Sequence, residues 1–399
     1  MRVVLFTGKG GVGKTTTAAG TAALAAARGL KALVVSTDAA HSLQDTLGAG
    51  RDGVPALGPE PVEVAGGLFA QQVDARGRFE RSWEEVQTYL LEVLDSVGVD
   101  PVEAEELTVL PGAEEVLALL EVRDQVRSDR WDLVAVDCAP TAETLRLLAL
   151  PEALTRYAER VFPVERRLVR TLRPMLDRVV GVPLPRDRVL DAVQRLVADL
   201  RDVRALLTGS DASVRLVLTP EAVVVAEARR TLTSLALHGY RVDAVVANRV
   251  FPASVDDGWL AGWAKAQAER LREVEDSFAP LPVHRSPYRA VEPVGLEELL
   301  GVAELTYAGS DPLALPEVAA GISVSHDGEC WVLQLPLPLA RRTDLDLMRA
   351  GEDLVVCAGT DRRVIALPSF LRRCSVVGAA FEDDRLLVRF VPDQERGAR

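Results

Sequence analysis

Residues 8–16 read G-K-G-G-V-G-K-T-T, and this run constrains the fold more than any other stretch of the chain. An apolar tetrapeptide, Val3-Val4-Leu5-Phe6, precedes it, and an Ala-rich segment of helical character, residues 17–28, follows. Strand, Gly-rich turn and helix N-terminus, in that order, make a phosphate-binding loop. Its glycines let backbone N–H groups approach phosphate oxygens, while the helix start adds partial positive charge and unused donors. On this reading Gly8, Lys9, Gly10, Gly11, Val12, Gly13, Lys14, Thr15 and Thr16 wrap a nucleoside triphosphate. Lys14 reaches its β- and γ-phosphates as a point charge, and the Thr15 hydroxyl ligates Mg²⁺. The alternative is a Gly-rich strand-to-helix turn with no ligand.

Length and composition frame the rest. At 399 residues the chain exceeds one ordinary core, so two or three domains are expected. Hydrophobic residues at 48% and charged residues at 26% suit a soluble globular protein. A net charge of −13 argues against a surface that coats nucleic acid and against simple docking on anionic lipid. No apolar run reaches spanning length, and Met1 leads directly into the first strand, so neither a transmembrane segment nor a signal peptide is expected. Cys138, Cys330, Cys357 and Cys374 are isolated, without any C-x-x-C pair. Neither a zinc site nor a disulfide framework is indicated, and a reducing cytoplasm fits best.

The first half alternates strands and helices in the manner of a parallel sheet. Residues 3–6, 32–35, 133–136, 214–218 and 244–247 are the candidate strands. Each ends in polar residues, where a doubly wound sheet places its ligand site. Asp137 closes the 133–136 strand as a Walker B carboxylate would, expected to hold the Mg²⁺ shell through water. Asp38 follows the 32–35 strand, which is expected to neighbour the loop strand and so turn this carboxylate toward the γ-phosphate. The competing role for Asp38 is a helix N-cap.

At this point the residues resemble a family. Ser36-Thr37-Asp38-Ala39-Ala40-His41-Ser42 resembles the switch I of the ArsA family, S-T-D-P-A-H-S, which includes the ATPases that target tail-anchored membrane proteins. Asp137-Cys138-Ala139-Pro140-Thr141-Ala142-Glu143-Thr144-Leu145-Arg146 is similar to its switch II, D-T-A-P-T-G-H-T-L-R. Pro111-Gly112-Ala113-Glu114-Glu115, Thr219-Pro220-Glu221 and Ala247-Asn248-Arg249-Val250 have counterparts there too. The resemblance covers about residues 1–312 and implies an α/β fold: a doubly wound, mostly parallel P-loop NTPase sheet with an inserted helical subdomain, from about 78–130 and 151–207. It implies ATP and Mg²⁺ as ligands and ATP hydrolysis as the activity.

The same resemblance implies roles for single residues. Lys9 matches the signature lysine of the deviant P-loop class, which reaches across a homodimer to the partner's nucleotide; a solvated loop lysine is the alternative. Asp38 matches the residue that orders the attacking water, and Asn248 the one that meets adenine. His41 reads as a local hydrogen-bonding residue. Three departures stand out: Ala39 replaces a proline, Cys138 a threonine, and the Ala142-Glu143 pair a Gly-His pair. A carboxylate at Glu143 would be repelled by a γ-phosphate unless paired or turned away, so turnover is expected to be slow.

In targeting members of the family the helical subdomain offers an apolar groove to a client's transmembrane helix. Here residues 168–184, just after Arg166 and Arg167, mix apolar side chains with Arg170, Arg173 and Arg178, and an ordinary packed amphipathic helix is the other reading. A protein client or membrane-protein partner therefore stays open. Metalloid carriage needs clustered thiolates, and three of the four cysteines lie beyond residue 329. Two rivals to a dimeric switch ATPase remain: a ParA/MinD-type positioning ATPase, and a slow or non-hydrolysing nucleotide-bound scaffold.

Ser310-Asp311-Pro312 marks a boundary. Beyond it, residues 330–335, 354–358, 362–366, 376–381 and 386–390 are short candidate strands, with turns at Gly359-Thr360-Asp361 and Asp383-Asp384. Leu367-Pro368-Ser369-Phe370-Leu371 and Gly378-Ala379-Ala380-Phe381 resemble the core of an α-crystallin-like domain of the small heat-shock type. A small all-β sandwich at about 316–392 is expected, serving partner contact or packing on the ATPase.

Overall fold

The computed structural model describes residues 1–37, 42–50, 53–73, 113–138, 187–252, 258–315, 321–328 and 330–393. Its first body is an eight-stranded sheet in the order β3-β4-β2-β5-β1-β6-β7-β8. The strands are β1 (Arg2–Thr7), β2 (Ala32–Ser36), β3 (Val62–Ala65), β4 (Leu68–Gln72), β5 (Leu133–Asp137), β6 (Ala212–Leu218), β7 (Val242–Val250) and β8 (Val283–Pro287). Every pairing is parallel except β3 with β4. β1, β2, β5 and β6 are buried along their whole length, as strands covered on both faces must be.

One expectation about order fails. β2 does not neighbour β1, because β5 lies between them and pairs with both: Asp137 stands opposite Phe6 on one side and Ser36 on the other. A crossover helix lets the chain skip a place in a parallel sheet, so order along the chain does not dictate order across it. The Asp137 strand, rather than the Asp38 strand, therefore flanks the loop strand.

The described helices are α1 (Lys14–Ala27), α2 (Ser42–Leu47), α3 (Ala113–Arg127), α4 (Asp187–Leu207), α5 (Ala222–His238), α6 (Gly258–Phe278) and α7 (Leu296–Tyr307). α1 is Ala-rich because it is sandwiched: Ala18, Ala19, Ala22 and Ala25 have no exposed surface, with the sheet on one side and α7 on the other. Small side chains allow both approaches at once. α3 and α4 fall in the two segments expected to be helical, and ion pairs Arg123–Asp199 (2.5 Å) and Arg127–Asp202 (2.9 Å) join them. Residues 74–112 and 139–186 lie outside the described residues, and with them Pro111-Gly112, the 168–184 stretch, and switch II beyond Cys138, including Ala142 and Glu143.

The second body is a sandwich of two antiparallel sheets, β14-β15-β10-β9 and β11-β12-β13. Its strands are β9 (Ser323–Asp327), β10 (Cys330–Pro336), β11 (Leu345–Ala350), β12 (Asp353–Ala358), β13 (Asp361–Ala366), β14 (Cys374–Glu382) and β15 (Arg385–Pro392). The two sheets enclose Leu333, Leu335, Leu354, Val356, Val388 and Phe390. Asp383 and Asp384 both have positive φ, 48° and 57°, which suits the tight β14–β15 hairpin. Among the described residues no helix is long and apolar enough to cross a membrane.

Candidate functional site

β1 delivers the glycine-rich loop to the carboxyl edge of the sheet, and α1 starts at Lys14. Gly13 caps α1 in the left-handed region (φ 94°, ψ 33°). A β-carbon there would fall 2.2 Å from Asn248 Nδ2, so the position excludes any side chain by conformation and by contact. The backbone of Gly8 presses equally close on the end of β6, where a β-carbon would meet Val217 O at 2.0 Å. Gly10 and Gly11 face open space. No side chain caps α1, and its first turn carries no acidic residue. A helix start whose N–H groups lack a capping side chain, behind an open glycine turn, is the arrangement an anion fills.

Oxygen donors gather beside it. Thr15 Oγ1 donates to Asp137 Oδ2 at 2.7 Å and lies 3.1 Å from Ser42 Oγ. Ser36 Oγ approaches the same carboxylate oxygen at 3.4 Å. Asp137 is buried at 1% exposure, and the Lys14 side chain is buried as well. Hydroxyls and a carboxylate converging on one point are the ligands a hard divalent cation takes, so the residues present fit Mg²⁺. The sequence pointed to Thr15 and Asp137. It gave no ligand role to Ser36 or Ser42, although both ends of the switch I motif are these serines, at the end of β2 and at the start of α2.

Next in the chain, Cys138 is buried and its amide donates to Phe6 O. Burial, reinforced by Asp137 and opposed by Lys14, pushes its thiol up to about 12. Burial thus favours the neutral thiol, and a thiol is a poorer nucleophile than a thiolate. Among the described residues no three His, Cys, Asp or Glu side chains are grouped to hold a metal ion.

Asn248, at the end of β7, sits behind the loop. Its Nδ2 donates to Val12 O at 2.8 Å, and its Oδ1 accepts from the Arg249 amide at 2.9 Å. One donor and one lone pair of the amide remain for a base edge. A small, mostly apolar cavity between α1 and α7 lies alongside, lined by Thr17, Gly20, Asn248, Val302, Ala303 and Tyr307 among others. Lys9 stands at the rim, two-fifths exposed, with its Nζ 3.8 Å from Glu227 Oε2 on α5. Asp38 and His41 lie outside the described residues. The structure thus brings Thr15, Asp137 and Lys14 together, with Asn248 behind the loop and Lys9 at its edge.

Comparison with known proteins gives the family. The family model of anion-transporting ATPases matches residues 1–308, and that of the HSP20-like domain found in ArsA matches residues 328–390. An uncharacterized protein of Streptomyces coelicolor is 40% identical over 397 residues, covering 99% of this chain and 98% of its own length. A Chlorobaculum tepidum protein, provisionally named an arsenical pump-driving ATPase, is 34% identical over 98% of this chain and 96% of its own. Mycobacterium tuberculosis has a relative 37% identical over 99% of this chain and 97% of its own. With its phosphate loop, its parallel sheet and its C-terminal β-sandwich, this chain belongs to the ArsA family of anion-transporting ATPases and carries that family's HSP20-like domain.

Proposed function

We propose that the chain is a Mg²⁺-dependent ATPase that works as a homodimeric switch, coupling nucleotide state to a protein client or partner in the cytoplasm. The observation that carries this reading is the 2.7 Å contact between Thr15 and the buried Asp137 directly beside an uncapped, glycine-led helix start. Lys14 and the loop amides bind and orient the phosphates. Thr15 and Asp137 would hold the metal. Bound Mg²⁺ supplies charge neutralisation on the β- and γ-phosphates. Asp38 orients the water, Asn248 offers its amide edge to adenine, and Lys9 reaches the partner's nucleotide. A cation so placed on the transferring group is worth roughly 10³–10⁵ in rate.

Two relatives, of Chlorobaculum tepidum and Aquifex aeolicus, are provisionally named for arsenical pumps. The placement of the thiols does not extend that to this chain, because metalloid carriage needs clustered thiolates: Cys138 follows β5 in the ATPase body, whereas Cys330, Cys357 and Cys374 belong to the sandwich. A protein partner is the better substrate class for the switch. Phosphate release and nucleotide retention test the reading. Wild type is expected to gain thermal stability with Mg-ATP and to hydrolyse it. Lys14→Ala should lose both, Lys9→Ala should keep binding and lose most turnover, and Asp38→Asn should bind without hydrolysing. Turnover that is equal in wild type and Asp38→Asn removes Asp38 from the mechanism, and absence of any Mg-ATP stabilisation of wild type overturns the reading.

A further inference from the structure

Helix α5 touches both bodies of the molecule. Its N-terminus follows the end of β6, the strand whose Val217 carbonyl abuts Gly8 of the phosphate loop. One and a half turns on, Glu227 faces Lys9 at 3.8 Å. At the other end the helix stops in a Schellman arrangement: the Gly239 amide bonds Ala236 O at 3.0 Å and the Tyr240 amide bonds Leu235 O at 2.9 Å. That motif leaves the Leu237 carbonyl, which accepts instead from Arg363 Nη1 of β13 in the sandwich. A cation there also complements the negative end of the helix dipole.

The attachment goes further than this cap. Leu237 has no exposed surface, and it is counted in the sandwich's own core beside Leu335, Val356 and Phe390. Thr233 Oγ1 donates to Pro338 O at 2.7 Å, which pins the preceding turn. On its flank α5 is held to α6 by Arg229, bonded to Glu273 at 2.9 Å and to Ser277. Seventeen residues of helix thus run about 25 Å from the loop edge to the sandwich. A helix held this way moves as a rod: it cannot shift at Leu237 without carrying Glu227 along.

We infer that the β-sandwich is the seat of helix α5, and that through this helix it sets the position of Glu227 and so parks Lys9 at the edge of its own loop. The inference rests on the assignment of Lys9 to the partner's nucleotide proposed above. Glu227 and Arg363 are positioning residues. Lys9 must leave Glu227 to reach across a dimer, so a firmly seated helix holds the dimer back and a loosened one favours it. Both partners of the Lys9–Glu227 pair are about two-fifths exposed, so each effect should be modest, about two- to fivefold.

The test uses the full chain as Arg363→Ala, Arg363→Lys, Glu227→Gln and the Arg363→Ala/Glu227→Gln double variant. Dimer fraction is measured by sedimentation against Mg-ATP concentration, with thermal melting to confirm folding. Arg363→Ala and Glu227→Gln should each lower the ATP concentration for half-dimerisation about two- to fivefold, and the double variant should go no further than the larger single effect. Arg363→Lys should recover most of the wild-type value. A wild-type midpoint in Arg363→Ala, or effects that multiply in the double variant, overturns the inference. If wild type fails to dimerise with ATP, the proposed function fails instead, and hydrogen exchange without nucleotide decides the seating. Faster exchange in Arg363→Ala that extends back to the Glu227 turn supports it, and exchange changes confined to residues 235–240 overturn it.

Discussion

Gly13 shows how narrowly single positions are specified. Its backbone is left-handed, and its missing β-carbon leaves room for the Asn248 amide that holds Val12. Gly13→Ala should cost about 1–3 kcal/mol from backbone strain, and it should displace Asn248 and weaken the Mg-ATP thermal shift. Denaturant unfolding and melting with and without nucleotide check this; an alanine variant matching wild type in both would mean that the loop accommodates a side chain. The loop residues, Thr15 and Asp137 were legible in the sequence because their spacing is local or strand-terminal. Glu227 was not, because residue 227 reaches residue 9 only when β1 and β6 lie side by side. The place of Asn248 behind Gly13 likewise depends on β7 coming two strands over from β1.

Elements are joined by a buried charge cluster under the sheet. Asp243 of β7 accepts from Arg2 of β1 at 3.0 Å and from Arg215 of β6 at 2.7 Å, with all three side chains no more than 6% exposed. Arg215 also donates to Tyr307 Oη at 2.9 Å, and Tyr307 meets Thr21 of α1 at 2.7 Å, so three strands, α1 and α7 share one network. Burial holds Arg2 below the usual arginine value even with Asp243 beside it. Asp243→Asn strands two buried cations, and the expected loss is about 3–5 kcal/mol. Urea unfolding measures it, and a loss below 1 kcal/mol would show that the cluster is not what ties these elements. At this scale the sequence revealed the fully apolar strands. It missed β3, β8, β9 and β11, because edge strands carry polar residues that blur the apolar run: β8 is Val-His-Arg-Ser-Pro and β9 Ser-Val-Ser-His-Asp. It missed β4, an inner strand, because Leu68-Phe69-Ala70 gives way to the buried pair Gln71-Gln72 and leaves too short an apolar run.

For the whole molecule, the two bodies are not beads on a string. The sandwich takes Leu237 of the ATPase body into its core and caps the same helix with Arg363. A chain ending at residue 315 would leave Leu237 in water, and burying one such side chain is worth about 1.5–3 kcal/mol. That truncated chain should melt earlier than the full chain, with faster amide exchange across α5. An unchanged melting point and unchanged exchange would show the sandwich to be a tethered module. The amino-acid sequence alone determined the phosphate loop, the parallel α/β class, the switch to short strands past Pro312 and the family, because each of these is written in neighbouring residues. Only the tertiary structure decided that β5 separates β1 from β2, that Glu227 meets Lys9 and that a helix of one body completes the core of the other. Those facts depend on which distant segments share a surface, and side-chain burial across such surfaces has no local signature in the chain.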